Sequence, residues 1–173
     1  MKTLVIGHTA GIGAELTQVL EADGISRSTG YDIDHRNNDF DYSQYDNIII
    51  NAYGAFTSQL QTLYEIIEHN TFNKSTLVIV VSSIKAWNDS PQDINRSKYA
   101  VEKSAINKAI RDLNGIGYNV CSICPSYVET GFNKGRDIPM MSVEYIALVV
   151  ERIINDYHDF KIKILEIVIE KSK

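Results

Sequence analysis

Short apolar runs alternate with amphipathic helical stretches along the chain, and that alternation leaves few folds open. Residues 2–6 (KTLVI), 47–51 (NIIIN), 76–83 (TLVIVVSS), 118–124 (YNVCSIC) and 161–169 (KIKILEIVI) read as strands, several of them apolar on both faces. Residues 22–27 have room for a short strand, and 31–33 (YDI) for a scrap of one. Residues 11–22, 57–70, 96–114 and 142–156 read as helices. The first carries Ile12, Leu16, Val19 and Leu20 on one face; the third carries Val101, Ala105, Ile106, Ala109, Ile110 and Leu113. Thr57 or Ser58 and Ser142 are suitable N-caps, and Gly115 a suitable C-cap. Strands joined through helices form a parallel sheet covered on both faces. Right-handed crossovers make it a doubly wound, Rossmann-like α/β sheet.

The 173 residues suit one domain spanning 1–173. The net charge of −5, with no long basic run, argues against nucleic acid as a partner. No apolar run approaches the ~18–20 residues that span a bilayer. The N-terminal stretch lacks a secretory apolar region and cleavage site, so a cytoplasmic location is expected. Cys121 and Cys124 are spaced as in redox or zinc motifs, but no second pair exists. On a strand, positions three apart face opposite ways, so two buried thiols and no metal are expected.

Chemistry enters with the glycines. Gly7, Gly11 and Gly13 in GHTAGIG follow a strand and open a helix, the setting in which such a cluster holds a phosphate. Four further stretches follow in order. Asn51 and Ala52 end one strand, Ser83 ends the next, Tyr99 and Lys103 stand four apart on a helix, and Pro125, Val128 and Thr130 follow another strand.

Together these resemble the short-chain dehydrogenases/reductases, with this chain an unusually short member. Tyr99-Ala-Val-Glu-Lys103 matches the family's Tyr-x-x-x-Lys signature, Asn51-Ala52 its Asn-Asn-Ala-Gly motif, and Pro125, Val128 and Thr130 its Pro-Gly-x-Val-x-Thr motif. The resemblance implies Ser83, Tyr99 and Lys103 as catalytic residues. It implies cofactor contacts from Gly7, Thr9, Gly11, Ile12, Gly13, Asn51, Ala52, Tyr99, Lys103, Pro125, Val128 and Thr130. The substrate it implies is a small carbonyl or alcohol. Ser82 is the rival to Ser83, since adjacent strand residues face opposite ways; the family register selects Ser83.

The chemistry is intelligible from the residue types. Hydride transfer to a carbonyl leaves a developing alkoxide that needs a proton and hydrogen-bond donors. A free tyrosine, with a pKa of about 10, is a poor acid–base partner near neutrality. A neighbouring ammonium is expected to lower that pKa, and positions four apart lie on one helix face. The resemblance also implies that Lys103 holds the nicotinamide ribose.

Cofactor preference is expected at the end of the second strand. There Arg27, flanked by Ser26 and Ser28, favours a 2′-phosphate and hence NADP(H) over NAD(H). Asp32 and Ile33 are candidates for the adenine contact, with Asp34 competing. His8 and Trp87 receive no chemical step.

The chain also departs from the family. The few residues between Arg27 and Asp32, and the polar stretch 35–46, leave the helices between strands 2, 3 and 4 reduced or missing. The family's relay Asn has no counterpart in residues 55–61, where Ser58 and Gln59 are the substitutes available. Tyr53 and Ser126 stand where the family has Gly, and both would narrow the cofactor cleft. Residues 131–141 form a small lid at most. A homodimer is expected through helix 57–70 and the Tyr99 helix, with Leu60, Leu63, Ile66 and Ile67 either supplying apolar surface or buried within the chain. The alternative to an enzyme is a catalytically weak NADP(H)-binding sensor or scaffold.

Overall fold

The computed structural model describes residues 1–35, 40–69, 75–87, 94–161 and 164–171. The strands are β1 (Thr3–Ile6), β2 (Asp23–Ile25), β3 (Asn47–Ile50), β4 (Leu77–Val81), β5 (Asn119–Pro125) and β6 (Glu166–Ile169). The helices are α1 (Gly11–Val19), α2 (Ser58–His69), α3 (Ile94–Gly115) and α4 (Val143–Phe160). The six strands run parallel in the order β2-β1-β3-β4-β5-β6. Strand order reverses between β1 and β3, which opens a crevice at their carboxyl ends.

Two apolar clusters, one on each face, hold this doubly wound arrangement. Leu4, Ile6, Ile48, Ile50, Val78, Val80 and Val120 meet α2 and α3 on one face. Val5, Ile49, Ile79, Cys121 and Ile123 meet α1 and α4 on the other. Every residue of β1, β3 and β4 is buried, as an apolar run without alternation requires when both faces are covered. Ser142 caps α4, its hydroxyl accepting from the Tyr145 amide at 3.2 Å. Cys121 and Cys124 are free, buried and on opposite faces; burial pushes the Cys121 thiol up to about 12.

Two expectations need correction, and one left open is decided. Residues 31–33 form no strand. The chain turns at Gly30 (φ 88°), the Tyr31 amide bonds back to the Ser26 carbonyl at 2.9 Å, and Tyr31 and Ile33 are buried. A single 3₁₀ turn, Arg27–Thr29, follows β2, and an aromatic plug of Tyr31, Phe40, Tyr42 and Tyr45 packs against the α2 face of the sheet. At its centre the fully buried Tyr42 hydroxyl meets Tyr31 at 2.7 Å and donates to Glu65 at 3.0 Å, so its polar atom is satisfied.

Second, the buried stripe of α3 is rotated from the one expected. Val101 is 56% exposed, whereas Glu102, Lys103 and Asn107 are buried with Ile106, Ala109, Ile110 and Leu113. The helix turns a polar face inward because that face builds the site described next. Third, Leu63, Ile66 and Ile67 are core residues beneath α2, and Leu60 packs partly against the same core. Of the two places open to them, the interior is the one they take, Leu60 in part. Among the described residues, no helix is long and apolar enough to cross a membrane.

Candidate active site

The opening loop is shaped by close backbone approach. Gly7 has φ 91°, and a Cβ there would lie 2.6 Å from the Ala52 nitrogen. A Cβ on Gly13 would lie 1.9 Å from the Gly7 carbonyl oxygen. The Asn51 amide donates to that same carbonyl at 2.9 Å, locking the end of β3 onto the loop. Gly11 lies under the Thr130 methyl, 3.1 Å from a Cβ placed on it, so the segment after β5 closes over the start of α1. No side chain caps α1, which leaves its first amides available to an anion. Ile12 packs toward the α1–α4 core rather than outward.

A cavity of about 170 Å³ lies beside this loop. Gly7, Thr9, Arg27, Ser28, Ile33 and Ala52 line it, joined by Ile6, Ser26, Tyr31 and Tyr53. Arg27 is exposed at its rim, and the Ser26 and Ser28 hydroxyls are 2.8 Å apart. Asp32 is not in its wall: its carboxylate accepts from the Asp34 amide at 3.1 Å and faces His35 at 3.3 Å. Asp34 turns to the loop after β3, accepting from the Ala55 amide at 2.5 Å and the Ser58 hydroxyl at 2.6 Å. Those two bonds hold its carboxyl below the usual range.

Pro125 ends β5, and the chain beyond it is pinned. Val128 bridges Met141, and Asn133 donates to the Val128 carbonyl at 2.9 Å. The exposed segment between them carries Phe132 against the ring of Tyr99, with centroids 6.5 Å apart.

Ser83, Tyr99 and Lys103 are brought together at the carboxyl end of β4. The neighbouring Ser83 hydroxyl opposes the rise in the Tyr99 pKa; the Ser82 hydroxyl is buried without a partner. The electrostatics differ from expectation. Burial dominates and pushes the Tyr99 phenol up, while the Lys103 ammonium lies 5.3 Å from the Tyr99 ring centroid.

Lys103, 2% exposed, donates to the Val81 carbonyl at 3.1 Å and to Gln59 Oε1. Gln59 cannot be turned the other way. Its amide nitrogen donates to the Ile50 and Val81 carbonyls, both at 3.1 Å, so only the oxygen is left for the ammonium. Of the two substitutes available in residues 55–61, Gln59 is the one that bonds Lys103.

Desolvation lowers the Lys103 pKa to about 8, against the opposing charge of Glu102. Glu102 is 1% exposed, and burial raises its carboxyl. The Lys103 charge and the Gln59 and Thr57 amides at the start of α2 temper that rise, although neither carboxylate oxygen makes a hydrogen bond of normal geometry. Nothing in the sequence singles out Glu102, since a Glu beside a Lys reads as an ordinary surface charge. Trp87, 56% exposed, donates from its indole to Glu166 on β6 at 3.1 Å.

No family model matches the sequence, and no curated protein matches it. Solved structures do. An alcohol dehydrogenase from the archaeon Thermococcus sibiricus, complexed with 5-hydroxy-NADP, is similar with a TM-score of 0.75 at 13% identity, over 100% of this chain and 99% of that one. A small-chain dehydrogenase in complex with NADPH gives 0.70 at 17% identity, over 98% and 96%. A 3-alpha-hydroxysteroid dehydrogenase from a Pseudomonas species, complexed with NADH, gives 0.64 at 14% identity, over 98% and 95%. With its switch-point crevice and parallel six-stranded sheet, this chain has the fold of the short-chain dehydrogenases/reductases.

Proposed function

We propose that this chain is an NADP(H)-dependent oxidoreductase of the short-chain type, acting on a small carbonyl or alcohol. The observation that carries the reading is the meeting of Ser83, Tyr99 and Lys103 on the edge of the sheet that also bears the glycine loop. The residues fit a dinucleotide. Gly7 and Gly13 leave the backbone bare where a Cβ would collide, no side chain caps the first amides of α1, and Arg27 with two hydroxyls suits a 2′-phosphate. A nicotinamide, when bound, supplies or accepts the hydride. Tyr99 then gives or takes the proton at the substrate oxygen, Ser83 donates a hydrogen bond to that oxygen, and Lys103 stabilises the phenolate by charge.

Nicotinamide fluorescence titration tests the cofactor assignment. Arg27→Ala is expected to weaken NADPH about tenfold, as the loss of a charge-assisted hydrogen bond implies, and to leave NADH unchanged. Tighter NADH than NADPH binding by the unaltered protein overturns the preference.

A second reading, an NADP(H)-binding protein with little turnover, draws on one observation: the cavity has none of Ser83, Tyr99 or Lys103 in its wall. A carbonyl panel with NADPH separates the two, since the binding module oxidises none of the cofactor.

The reading includes a homodimer through the outer faces of α2 and α3, where Tyr64 (42%) and Val101 (56%) are exposed. A monomer by sedimentation at tens of micromolar refutes that part.

A further inference from the structure

We propose that the Tyr53 side chain is a gate between the two halves of the crevice, closed over Lys103 in this structure. It has to swing aside before Lys103 can meet the ribosyl-nicotinamide half of a dinucleotide. The proposal rests on the dinucleotide reading above.

Tyr53 forms part of the wall of the cavity beside the glycine loop, whereas Lys103 does not. The Tyr53 ring stands edge-on to Tyr99, with centroids 5.2 Å apart and planes at 71°. The Lys103 nitrogen lies 5.2 Å from the Tyr53 centroid and 5.3 Å from that of Tyr99. An ammonium has three donors. Two are taken by Gln59 and the Val81 carbonyl, and the two rings flank the nitrogen. Lys103 is 2% exposed, with the Tyr53 ring over its nitrogen and in the cavity wall.

The motion is a side-chain rotation. The Ala52 amide is bonded to the Ile6 carbonyl at 2.8 Å and the Ala55 amide to Asp34 at 2.5 Å, so the backbone on either side of residue 53 is tied down. The ring itself is 42% exposed and has solvent to turn into.

The first test needs no nucleotide. Amine labelling of Lys103, followed by mass spectrometry, is expected to run about tenfold faster in Tyr53→Gly than in the unaltered protein, the factor expected for a lost ring contact. Tyr53→Phe keeps the ring and should change it far less; Tyr53→Ala repeats the test should glycine loosen the loop. The second test compares ligands. NADPH is expected to bind about tenfold tighter to Tyr53→Gly, because the opening step is removed, while 2′,5′-ADP, which lacks the nicotinamide half, binds both proteins alike.

Unchanged labelling of Lys103 in Tyr53→Gly overturns the gate. So does weaker NADPH binding with 2′,5′-ADP unaffected, because the ring would then be a platform for the cofactor. An unaltered protein that binds neither nucleotide ends the dinucleotide reading, and the proposed gate with it.

Discussion

Tyr99→Phe is expected to lower carbonyl turnover about 10²–10⁴-fold, the usual worth of a positioned general acid, and to leave NADPH affinity within about twofold. The substitution removes one hydroxyl and keeps the ring that packs against Tyr53 and Phe132. Stability should therefore hardly move, which isolates the chemical role. A pH profile sharpens the test. Burial holds the Tyr99 phenol above its ordinary pKa, so the acid form persists through neutrality. Lys103 titrates near 8, depressed by desolvation. Below that pH it is charged and stabilises negative charge developing on Tyr99; above it the charge is lost. Turnover in the reductive direction should thus fall as pH rises through about 8. Equal turnover by Tyr99→Phe and the unaltered protein would remove the proposed acid altogether.

A single methyl at Gly13 should be nearly as damaging, by a different route. The new Cβ would lie 1.9 Å from the Gly7 carbonyl oxygen and 2.6 Å from Asn51 Nδ2. Both neighbours are fixed, one in backbone and the other by its bond to that backbone. The loop has to shift, and Gly13→Ala should cost about 2–3 kcal/mol, the upper part of the range for overpacking a filled site. For a chain of this size that is about 5–10 °C in Tm. The same shift spoils the cradle, so NADPH affinity should drop with it. Gly131→Ala is the control, since a Cβ there meets nothing within 4 Å. A Gly13→Ala protein with unchanged Tm and NADPH binding would mean that the loop is not built on this contact.

The order of elements was legible because each strand of the sheet centre is an unbroken apolar run, and each helix carries its own period. The tight glycine loop and the closeness of Tyr99 to Lys103 were legible because they depend on backbone position and local spacing. Residues 31–33 misled because a three-residue run carries no periodicity, and Gly30 with the Tyr31–Tyr42 hydroxyl pair decided its path. Val101 misled because an apolar stripe cannot reveal that the fold needs Glu102 and Lys103 inside instead.

What the sequence determined by itself is thus the parallel α/β order and the residues set by strand ends and by one helix face. Only the tertiary structure decided that Gln59 grips Lys103, that burial raises the Tyr99 phenol, and that the Tyr53 ring lies in the cavity wall and over the ammonium. The reason is physical: hydrogen-bond partners and desolvation come from residues remote in the chain, and no local spacing encodes which of them will meet.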